Sequence, residues 1–468
     1  MKISIQIVID SETGDPTVTK SIAEFRREDL AKDTLGLTIK ESKLLLQNIQ
    51  SEFTHHQIEE YISNHKTCNK CHKELKIKGH TEIVYRTLFG KLKLSNPRLY
   101  KCSCNKDCKS KSISLLPVIL PERISPELQY LQAKWASLVS YGATSNILED
   151  ILPLHANVSS IFHTTHKVAK QLDAEIEEER YCFISGCEND RNKLPTPDSP
   201  LTVGIDGGYI HAREGNNRKA GWFEAIVGKS LHETQPSKRF GFVCKYDNKP
   251  RSRLNSMLKK QGFQQNQNIV FLSDGGDTVR DLQHNMAPNS EHLLDWFHIT
   301  MKITVMKQMI SGLVDNFKNQ SHKKLESIKW NIWHGNVSKA LDKIESFSED
   351  FYEEELEKVD KNSKKYKLRK YADEFYTYIE LNRFYITNYA ERHSYGEIIS
   401  SSFVEATVNE VISKRMVKKQ QMRWTQEGAH RMIQVRTATL NNELRDEFCR
   451  WYPNMNNTSD NLALKNAA

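Results

Sequence analysis

Two short apolar runs in the middle of the chain decide its fold: Leu201 to Gly208 (LTVGIDGG) and Asn268 to Gly276 (NIVFLSDGG). Each run stops at Asp-Gly-Gly, the pattern of a buried strand that ends at the edge of a sheet. Asp206 and Asp274 would stand at these strand ends, where carboxylates from different strands can converge on Mg²⁺ or Mn²⁺. A single Asp-Gly more often marks a turn. Two of them in this order, with a third acid downstream, indicate a metal site.

The composition predicts a multidomain cytoplasmic protein. A chain of 468 residues is too long for one ordinary core, so about two to four domains are expected. The hydrophobic share of 38% suits a globular protein. No apolar run has the length of a membrane span, and the N-terminus lacks a signal-peptide pattern. We therefore expect a cytoplasmic protein, nucleoid-associated in a prokaryote, with no membrane partner.

Basic residues are concentrated in one segment. Residues 66–123 contain 14 Lys and Arg against 4 Asp and Glu, a local net charge of +10, whereas the whole chain carries +8. A basic module on a nearly neutral body indicates a polyanionic partner, most simply double-stranded DNA. A lysine-rich solvated surface would give the same count, but the cysteines in this segment favour the functional interpretation.

The basic segment contains the pattern of a zinc site. Cys68-x-x-Cys71 is followed by Cys102-x-Cys104 and Cys108, and the intervening TEIVYRTLFGKLKLSNPRLYKC alternates like a hairpin with Gly90 at its turn. Antiparallel strands would bring the cysteine pairs together, and four thiolates would bind one structural Zn²⁺. The alternative is a set of reduced cysteines without a metal. The expected ligands are Cys68, Cys71, Cys102 and Cys104, with Cys108 and His72 as substitutes.

Two segments before residue 194 are helical in pattern. One is Thr38–Ile62, and the other begins at Ser125. In the latter, Asn157-Val-Ser-Ser followed by IFHTTHKVAKQL resembles the second helix of a helix-turn-helix unit, in which Lys167 and Lys170 would contact DNA. Plain helix packing is the alternative. The two interpretations differ in whether four side chains face solvent: His163, Thr165, His166 and Lys170.

Residues 201–312 alternate strands and helices in an order typical of a ribonuclease-H-like sheet. The pattern predicts strands near 201–206, 221–228, 240–246, 268–274 and 291–295, with helices near 250–261 and 278–286. In this order the first and fourth strands lie side by side. Asp206 would then lie next to Asp274.

After Gly312 the sequence changes to long, charged helices that carry aromatic residues, roughly 313–395. This stretch is too regular for a loop and is interpreted as an α-helical insertion. Trp330 and Trp333 are interpreted as packing residues, with stacking on an unpaired base as the alternative.

Glu405 is the predicted third acid. It lies near the start of the helix FVEATVNEVISKRMVKK, whose Val408 and Ile412 would pack on the sheet. Glu410 points elsewhere. Glu427 is the rival, but Thr425 before it looks like a helix N-cap, and a glutamate in the first turn is explained by the helix dipole.

The segment Lys414 to Arg436 beyond Glu405 carries 7 Lys and Arg and one acid, and is expected to contact backbone phosphates. The candidate DNA-binding residues here are Lys414, Arg415, Lys418, Lys419, Arg423 and Arg431.

These motifs together resemble a known family. GIDGG, LSDGG, the DWFH that contains Asp295 and His298, the helical insertion and SSFVEATVNEVISKRMVKKQQMRWTQEGAHRM are similar to insertion-sequence transposases of the ISKra type, in the Mutator-like DDE group. The resemblance runs from CNKC at 68–71 to RMIQVRTATL at 431–440. It implies a D-D-E triad of Asp206, Asp274 and Glu405, with Asp295 and His298 as the D-x-x-H motif of the group.

The resemblance also implies a ribonuclease-H-like core, two Mg²⁺ (or Mn²⁺) ions per active site and action on terminal inverted repeats. His298 would orient the scissile phosphate or a flipped base. Synapsis of two DNA ends implies a homodimer or a larger assembly. The alternatives are another ribonuclease-H-like nuclease or resolvase, which would not need the N-terminal modules, and a non-catalytic DNA-binding derivative.

The predicted architecture is an α+β multidomain protein. A ribonuclease-H-like mixed α/β core with an α-helical insertion follows a small zinc-binding β module and a helical DNA-binding region. The expected divisions are 1–65 (N-terminal helical region), 66–123 (basic zinc-ribbon-like module), 124–193 (helical, helix-turn-helix-like), 201–312 (first part of the core), 313–395 (insertion), 396–450 (last part of the core) and 451–468 (tail).

Overall fold

The protein is a mixed α+β protein, as predicted. The computed structural model describes residues 1–9, 17–29, 31–104, 112–177, 198–213, 221–264, 266–286, 290–313, 315–351, 363–418 and 422–456. The chain divides into two compact units, Met1–Val168 with Asn442–Ala468, and Ala169–Asn441. In the described ranges no helix combines the length and apolarity required to cross a bilayer.

The first unit begins with a β-hairpin that the sequence interpretation missed. β1 (Lys2–Ile9) and β2 (Val18–Arg26) pair antiparallel, so the region 1–65, predicted as an N-terminal helical region, also contains two strands. The alternation in KISIQIVI carried this signal. α1 (Ile39–Asn64) follows, and Thr38 and Glu41 form the capping box that starts it.

A second, three-stranded sheet holds the cysteines at its base. β3 (Ile77–Thr87), β4 (Gly90–Tyr100) and β5 (Ser112–Ser114) are antiparallel in that order. Gly90 adopts φ +125° at the turn, which confirms the predicted hairpin. Ile83, Leu92 and Leu94 are buried on one face, against the last turns of α1.

Helices complete the first unit. They are α2 (Leu116–Ile119), α3 (Pro126–Leu138), α4 (Tyr141–Ile151) and the first part of α5 (Val158–Ala174), whose residues from Ala169 onward belong to the second unit. Ser125 and Ser140 cap α3 and α4 by accepting hydrogen bonds from N–H groups of the first turn, which explains where these helices begin.

The second unit is built on a five-stranded sheet. β6 (Leu201–His211), β7 (Trp222–Leu231), β8 (Lys238–Val243), β9 (Ile269–Ser273) and β10 (Glu291–Leu294) lie in the order β10-β9-β6-β7-β8. β6 is antiparallel to β7 and parallel to β9. The predicted adjacency of the first and fourth strands of this region is therefore confirmed.

One face of this sheet is covered by α6 (Pro250–Lys260) and α7 (Asp277–Met286). Leu201, Val203 and Ile205 of β6 pack there with the apolar side chains of both helices. The alternate residues of β6 therefore point to the opposite face.

The two Asp-Gly-Gly sequences differ in structure. β9 ends at Ser273, and Gly275 turns with φ +83°, as predicted. β6 instead continues through Asp206 to His211, with Gly207 and Gly208 paired to β7. The prediction that β6 ends at Asp206 was wrong, because its glycines serve packing and not a turn.

The helical insertion has a core of its own. It consists of α8 (Trp296–Ser311), α9 (Asp315–Trp333), α10 (Val337–Glu349), α11 (Lys364–Leu381), a 3₁₀ turn (Arg383–Tyr385) and α12 (Tyr389–Ser394). Ile303, Ile328, Ile344 and Phe375 are central to that core.

The two insertion tryptophans differ in their surroundings. The ring of Trp333 lies 4.8 Å from that of Trp296 in the core of the insertion, which confirms its interpretation as a packing residue. Trp330 is 56% exposed and stacks on His334.

The remaining helices of the second unit are α13 (Ser402–Val408), a π-helical segment (Asn409–Val417) and α14 (Gln426–Leu440). α13 and the π-helical segment pack on β6, on the face opposite to α6. Two glycines make this possible: a Cβ at Gly204 would lie 2.0 Å from Val404 Cγ2, and one at Gly208 would lie 2.9 Å from Val408 Cγ1. The chain then enters α15 (Leu444–Trp451) and a 3₁₀ turn (Pro453–Asn456) of the first unit.

Gly204→Ala is expected to lower the free energy of unfolding by about 1–3 kcal/mol, because overpacking would push α13 away from the sheet. Gly142→Ala is the control. A Cβ there meets nothing within 4 Å, so alanine in this helix should add about 0.4–1 kcal/mol. Thermal unfolding of the two variants measures the difference, and equal midpoints would contradict the role assigned to Gly204.

Candidate active site and candidate metal centre

The sheet brings Asp206 and Asp274 to equivalent positions on neighbouring strands. The parallel ladder pairs Thr202 with Val270 and Gly204 with Leu272, and each aspartate lies two residues further on. Neighbouring strands are about 4.8 Å apart. The two carboxylates therefore belong to one corner of the sheet.

α13 brings Glu405 to the same face. Gly204, Asp206 and Gly208 alternate along β6 and share the face on which α13 packs. Glu405 is next to Val404, which touches Gly204. Asp206 thus lies between Gly204 and Gly208, on the face of β6 against which the helix that carries Glu405 packs.

Asp206 responds to all of these neighbours. Burial raises its pKa above the ordinary value of 3.8, and the charges of Asp274 and Glu405 raise it further. The Gly207 N–H, which donates to its Oδ1 at 2.7 Å, and His298 act in the opposite direction. Asp206 is therefore the centre of a group of acids with one histidine, and its charged form is disfavoured without a compensating cation.

Glu427, the rival third acid, has a different setting. It lies in the first turn of α14, whose N-cap Thr425 accepts a hydrogen bond from Gly428 N–H at 3.0 Å. Its carboxylate is ion-paired with Arg431 one turn on. These contacts account for Glu427 without a catalytic role.

Asp295 is buried and fully engaged. It is 0% exposed. Its Oδ1 accepts hydrogen bonds from Phe297 N–H at 2.9 Å and Ser401 N–H at 2.8 Å, and its Oδ2 accepts from the Ser401 hydroxyl. His298 Nε2 lies 3.5 Å from Oδ2. The expectation that Asp295 is catalytic is corrected here: its oxygens are sealed inside the protein, so it positions His298 and the start of α13.

The turn after Asp274 is held by residues that the sequence interpretation missed. Tyr378 of α11 donates to the Asp274 carbonyl at 3.1 Å, and Arg280 donates to the Gly275 carbonyl at 2.6 Å. A Cβ at Gly275 would lie 2.4 Å from Asn382 Oδ1. Only glycine fits there, and the insertion contributes directly to the geometry of the second acid.

Among the described residues, Asp206, Asp274 and Glu405 lie near one another, but their oxygens do not all come within 4.8 Å of one another. Among the described residues, two groups have ligand atoms within 4.8 Å of one another: the four cysteines 68, 71, 102 and 104, and the group Asp173, Asp247 and His430. The acids around Asp206 are more widely spaced than either group.

The four predicted cysteines form one cluster that could bind a metal ion. Sγ of Cys68 lies 3.4 Å from that of Cys104, and Sγ of Cys71 lies 3.3 Å from that of Cys102. Ligands at about 2.3 Å from a tetrahedral ion would be separated by about 3.8 Å. The third measured pair, Cys71 and Cys104, is 3.7 Å apart, so small outward shifts of the sulfurs would accommodate such an ion. Cys108 lies outside the described residues, and His72 is outside the cluster.

The ionisation of these thiols is uneven. Backbone N–H groups of Lys70 and Cys71 lower the pKa of Cys68 to about 6. Hydrogen bonding with Cys102 and Cys68 raises the pKa of Cys104 to about 12. Four thiolates cannot form at one place without a cation, because each new charge repels the others.

The second group is already neutralised by a guanidinium. Arg253 donates to both oxygens of Asp247, at 2.7 and 2.9 Å, and lies 3.0 Å from His430 Nε2. It also pairs with Asp173. The cluster is a buried ion-pair network that joins α5, α6 and α14, and no sequence motif predicted it.

Most of the predicted DNA-binding side chains lie on the surface. Arg431 pairs with Glu427, Lys167 pairs with Glu122, and Lys419 lies outside the described residues. The exposed residues are Lys167, Lys170, Lys414, Lys418 and Arg423.

The prediction that Arg415 contacts DNA is corrected by its burial. It is 0% exposed and its guanidinium lies 5.2 Å from the Trp424 ring centroid. The widened π-helical turn directs it inward, so it supports the packing of this region and is not available to DNA.

α5 combines the two interpretations offered for it. Thr165 and His166 are buried, as plain packing requires, whereas His163 and Lys170 are exposed, as recognition requires. The helix has one packed face and one polar face that is free for a ligand.

Comparison with protein-family models finds no match for this chain, and comparison with curated proteins finds none either.

Asp206→Asn is expected to raise the thermal midpoint at about pH 7 in buffer without added Mg²⁺ or Mn²⁺. Because the pKa of Asp206 is raised in the folded state, the charged carboxylate destabilises the fold at pH values above that raised pKa. Below the ordinary pKa both states are protonated and the benefit should vanish. Asp342→Asn on the exposed side of α10 should change nothing at either pH. A lower midpoint for Asp206→Asn at about pH 7 would contradict the electrostatic description.

Proposed function

We propose that the chain is a DNA transposase with a ribonuclease-H-like core, which cleaves DNA at the inverted repeats of an insertion sequence and joins the 3′-hydroxyl ends to target DNA. One observation carries this proposal: Asp206 of β6 and Asp274, directly after the parallel neighbouring strand β9, lie at one corner of the sheet, with Glu405 on the helix packed on β6. The resemblance of the same segments to ISKra-type transposases supports the same conclusion.

The donor set suits a hard divalent ion. Asp206, Asp274 and Glu405 offer only carboxylate oxygens, the ligands that Mg²⁺ and Mn²⁺ prefer. Burial, together with the charges of Asp274 and Glu405, raises the pKa of Asp206, so a bound cation would stabilise its charged form. These three residues would hold two such ions, which would supply water activation and neutralise charge on the phosphate.

The protein itself supplies position and surface. His298 is half-buried on the first turn of α8 and fixed by Asp295, so it can orient a phosphate oxygen. Each step exchanges one phosphorus–oxygen bond for another: water releases a 3′-hydroxyl, and that hydroxyl attacks the target strand. No covalent intermediate with the protein is required.

The basic surface and the cysteine cluster support DNA as the partner. Exposed Lys414, Lys418 and Arg423 follow the helix of the third acid and are suited to backbone phosphates. The four cysteines would hold one structural Zn²⁺ at the base of the basic hairpin. Joining two DNA ends requires a homodimer or a larger assembly.

Asp206→Asn and Asp274→Asn should each abolish cleavage of a duplex that carries the element's end, while binding of that duplex stays within about twofold. Loss of several kcal/mol of transition-state stabilisation corresponds to a fall of about a thousandfold or more. Gel analysis of cleaved strands and fluorescence anisotropy measure the two quantities separately.

Glu405→Gln and Glu427→Gln are the matched pair for the third acid. The first should lose cleavage as the aspartate variants do, and the second should retain it. Full activity of Glu405→Gln would move the role elsewhere, and cleavage by purified Asp206→Asn would end the proposal.

Purified protein should contain about one equivalent of zinc, because four convergent thiolates bind it tightly. Cys71→Ser should reduce this content and lower the thermal midpoint, whereas Cys244→Ser, outside the cluster, should not change the zinc content. A wild-type content below about half an equivalent after gentle purification would refute the zinc site.

A further inference from the structure

The first unit contains a polar cavity that the candidate active site does not use. Its volume is about 430 Å³, and it lies between the turn of the β3–β4 hairpin, α3 and the N-terminus of α5. All of its lining residues fall between Arg86 and His163. This volume is in the range of cavities that hold a small organic ligand.

One side of the cavity is suited to an anion. Arg86 and Lys91 line it from the hairpin, and among the described residues neither forms an ion pair. Asn157, Ser159 and Ser160 line it from the start of α5. Asn157 Oδ1 accepts the Ser159 N–H at 2.8 Å, and the other N–H groups of a first turn have no intrahelical partner and attract negative charge.

The other side of the cavity contains an unsatisfied amide. Gln132 of α3 lines the cavity and is only 3% exposed. In the part of the chain that the structure describes, nothing donates a hydrogen bond to its Oε1. A buried acceptor without a donor is costly. A donor supplied by an occupant of the cavity would remove this cost.

Two histidines, His155 and His163, also line the cavity. His155 is paired with Glu149 at 2.7 Å, so an acid is also close to this end. The charge available to an anion therefore comes from Arg86, Lys91 and the start of α5.

We propose that this cavity binds one unpaired nucleotide of a DNA strand, with its phosphate at the N-terminus of α5 beside Lys91 and its base edge on Gln132. An inorganic phosphate would leave Gln132 Oε1 without a hydrogen-bond donor. A DNA duplex would present only its sugar–phosphate backbone to the cavity, because its bases are paired. A base can enter a cavity of this size only when it is unpaired. The proposal rests on the proposed function insofar as DNA is the partner.

The test measures binding of full-length protein to a fluorescent single strand of about 20 nucleotides, to the duplex of the same sequence and to free dAMP. Lys91→Ser should weaken single-strand binding about tenfold and reduce the salt slope by about 0.7. The control Lys93→Ser removes the same charge from the same strand, outside the cavity. It should stay within about twofold.

Gln132→Leu separates a ligand site from a packing role. It removes the unsatisfied oxygen and should raise the thermal midpoint of the free protein, yet weaken single-strand binding about fivefold to tenfold. The proposal is overturned if Gln132→Leu binds as wild type does, or if Lys91→Ser and Lys93→Ser behave alike. Equal losses for duplex and single strand would make the cavity a contact to duplex backbone. Tighter capture of dAMP than of the strand would make it a site for free nucleotides.

Cleavage at the transposon ends distinguishes this test from that of the proposed function. Normal cleavage with unaffected cavity variants would reject the cavity alone, whereas cavity-dependent strand binding without any cleavage at transposon ends would reject the transposase and keep the site.

Discussion

The buried carboxylate of Asp295 is the contact on which the candidate active site depends. Its backbone N–H donates to the Ser273 carbonyl at 2.9 Å, next to Asp274, and its side chain receives both hydrogen bonds of Ser401, where α13 begins four residues before Glu405. An unpaired buried carboxylate would cost several kcal/mol, so these partners cannot separate cheaply. One residue thereby fixes a strand end and a helix start that are more than a hundred residues apart in sequence.

The helical insertion also contributes contacts that position Asp274. α11 packs into the apolar core of the insertion. Tyr378 of that helix donates a hydrogen bond to the carbonyl of Asp274. Asn382, just after α11, accepts a hydrogen bond from Arg280 at 2.5 Å, and its side-chain oxygen packs close to the Gly275 backbone. The position of Asp274 thus depends on helices that follow it in the sequence. A substitution within the insertion can therefore alter the candidate active site without a direct contact to the three acids.

Local sequence patterns predicted the local structure well. Strand order, the Gly90 hairpin, the four-cysteine cluster and the helix of Glu405 all followed from alternation, spacing and the succession of elements along the chain. The β1–β2 hairpin was missed although the alternation of its first strand was visible. The other errors concern side-chain contacts that residue patterns do not specify. β6 runs through Asp206 because Gly204 and Gly208 receive Val404 and Val408 from α13, and Arg415 is buried because Trp424 lies over it. Neither partner can be read from the residues adjacent in sequence.

The four-cysteine cluster and the three carboxylates around Asp206 differ in how closely their ligand atoms lie together. The sulfurs of the cysteine cluster are as close as 3.3 Å, so an ion among them could have all four coordination positions filled by protein, as in structural sites. The carboxylates around Asp206 belong to two strands and a helix, and lie outside the 4.8 Å limit that the cysteines satisfy. A site that processes a phosphodiester needs open coordination positions for the substrate oxygens. The wider spacing of the acids is compatible with the proposed function, and the sheet, Asp295 and the insertion hold the acids near one another.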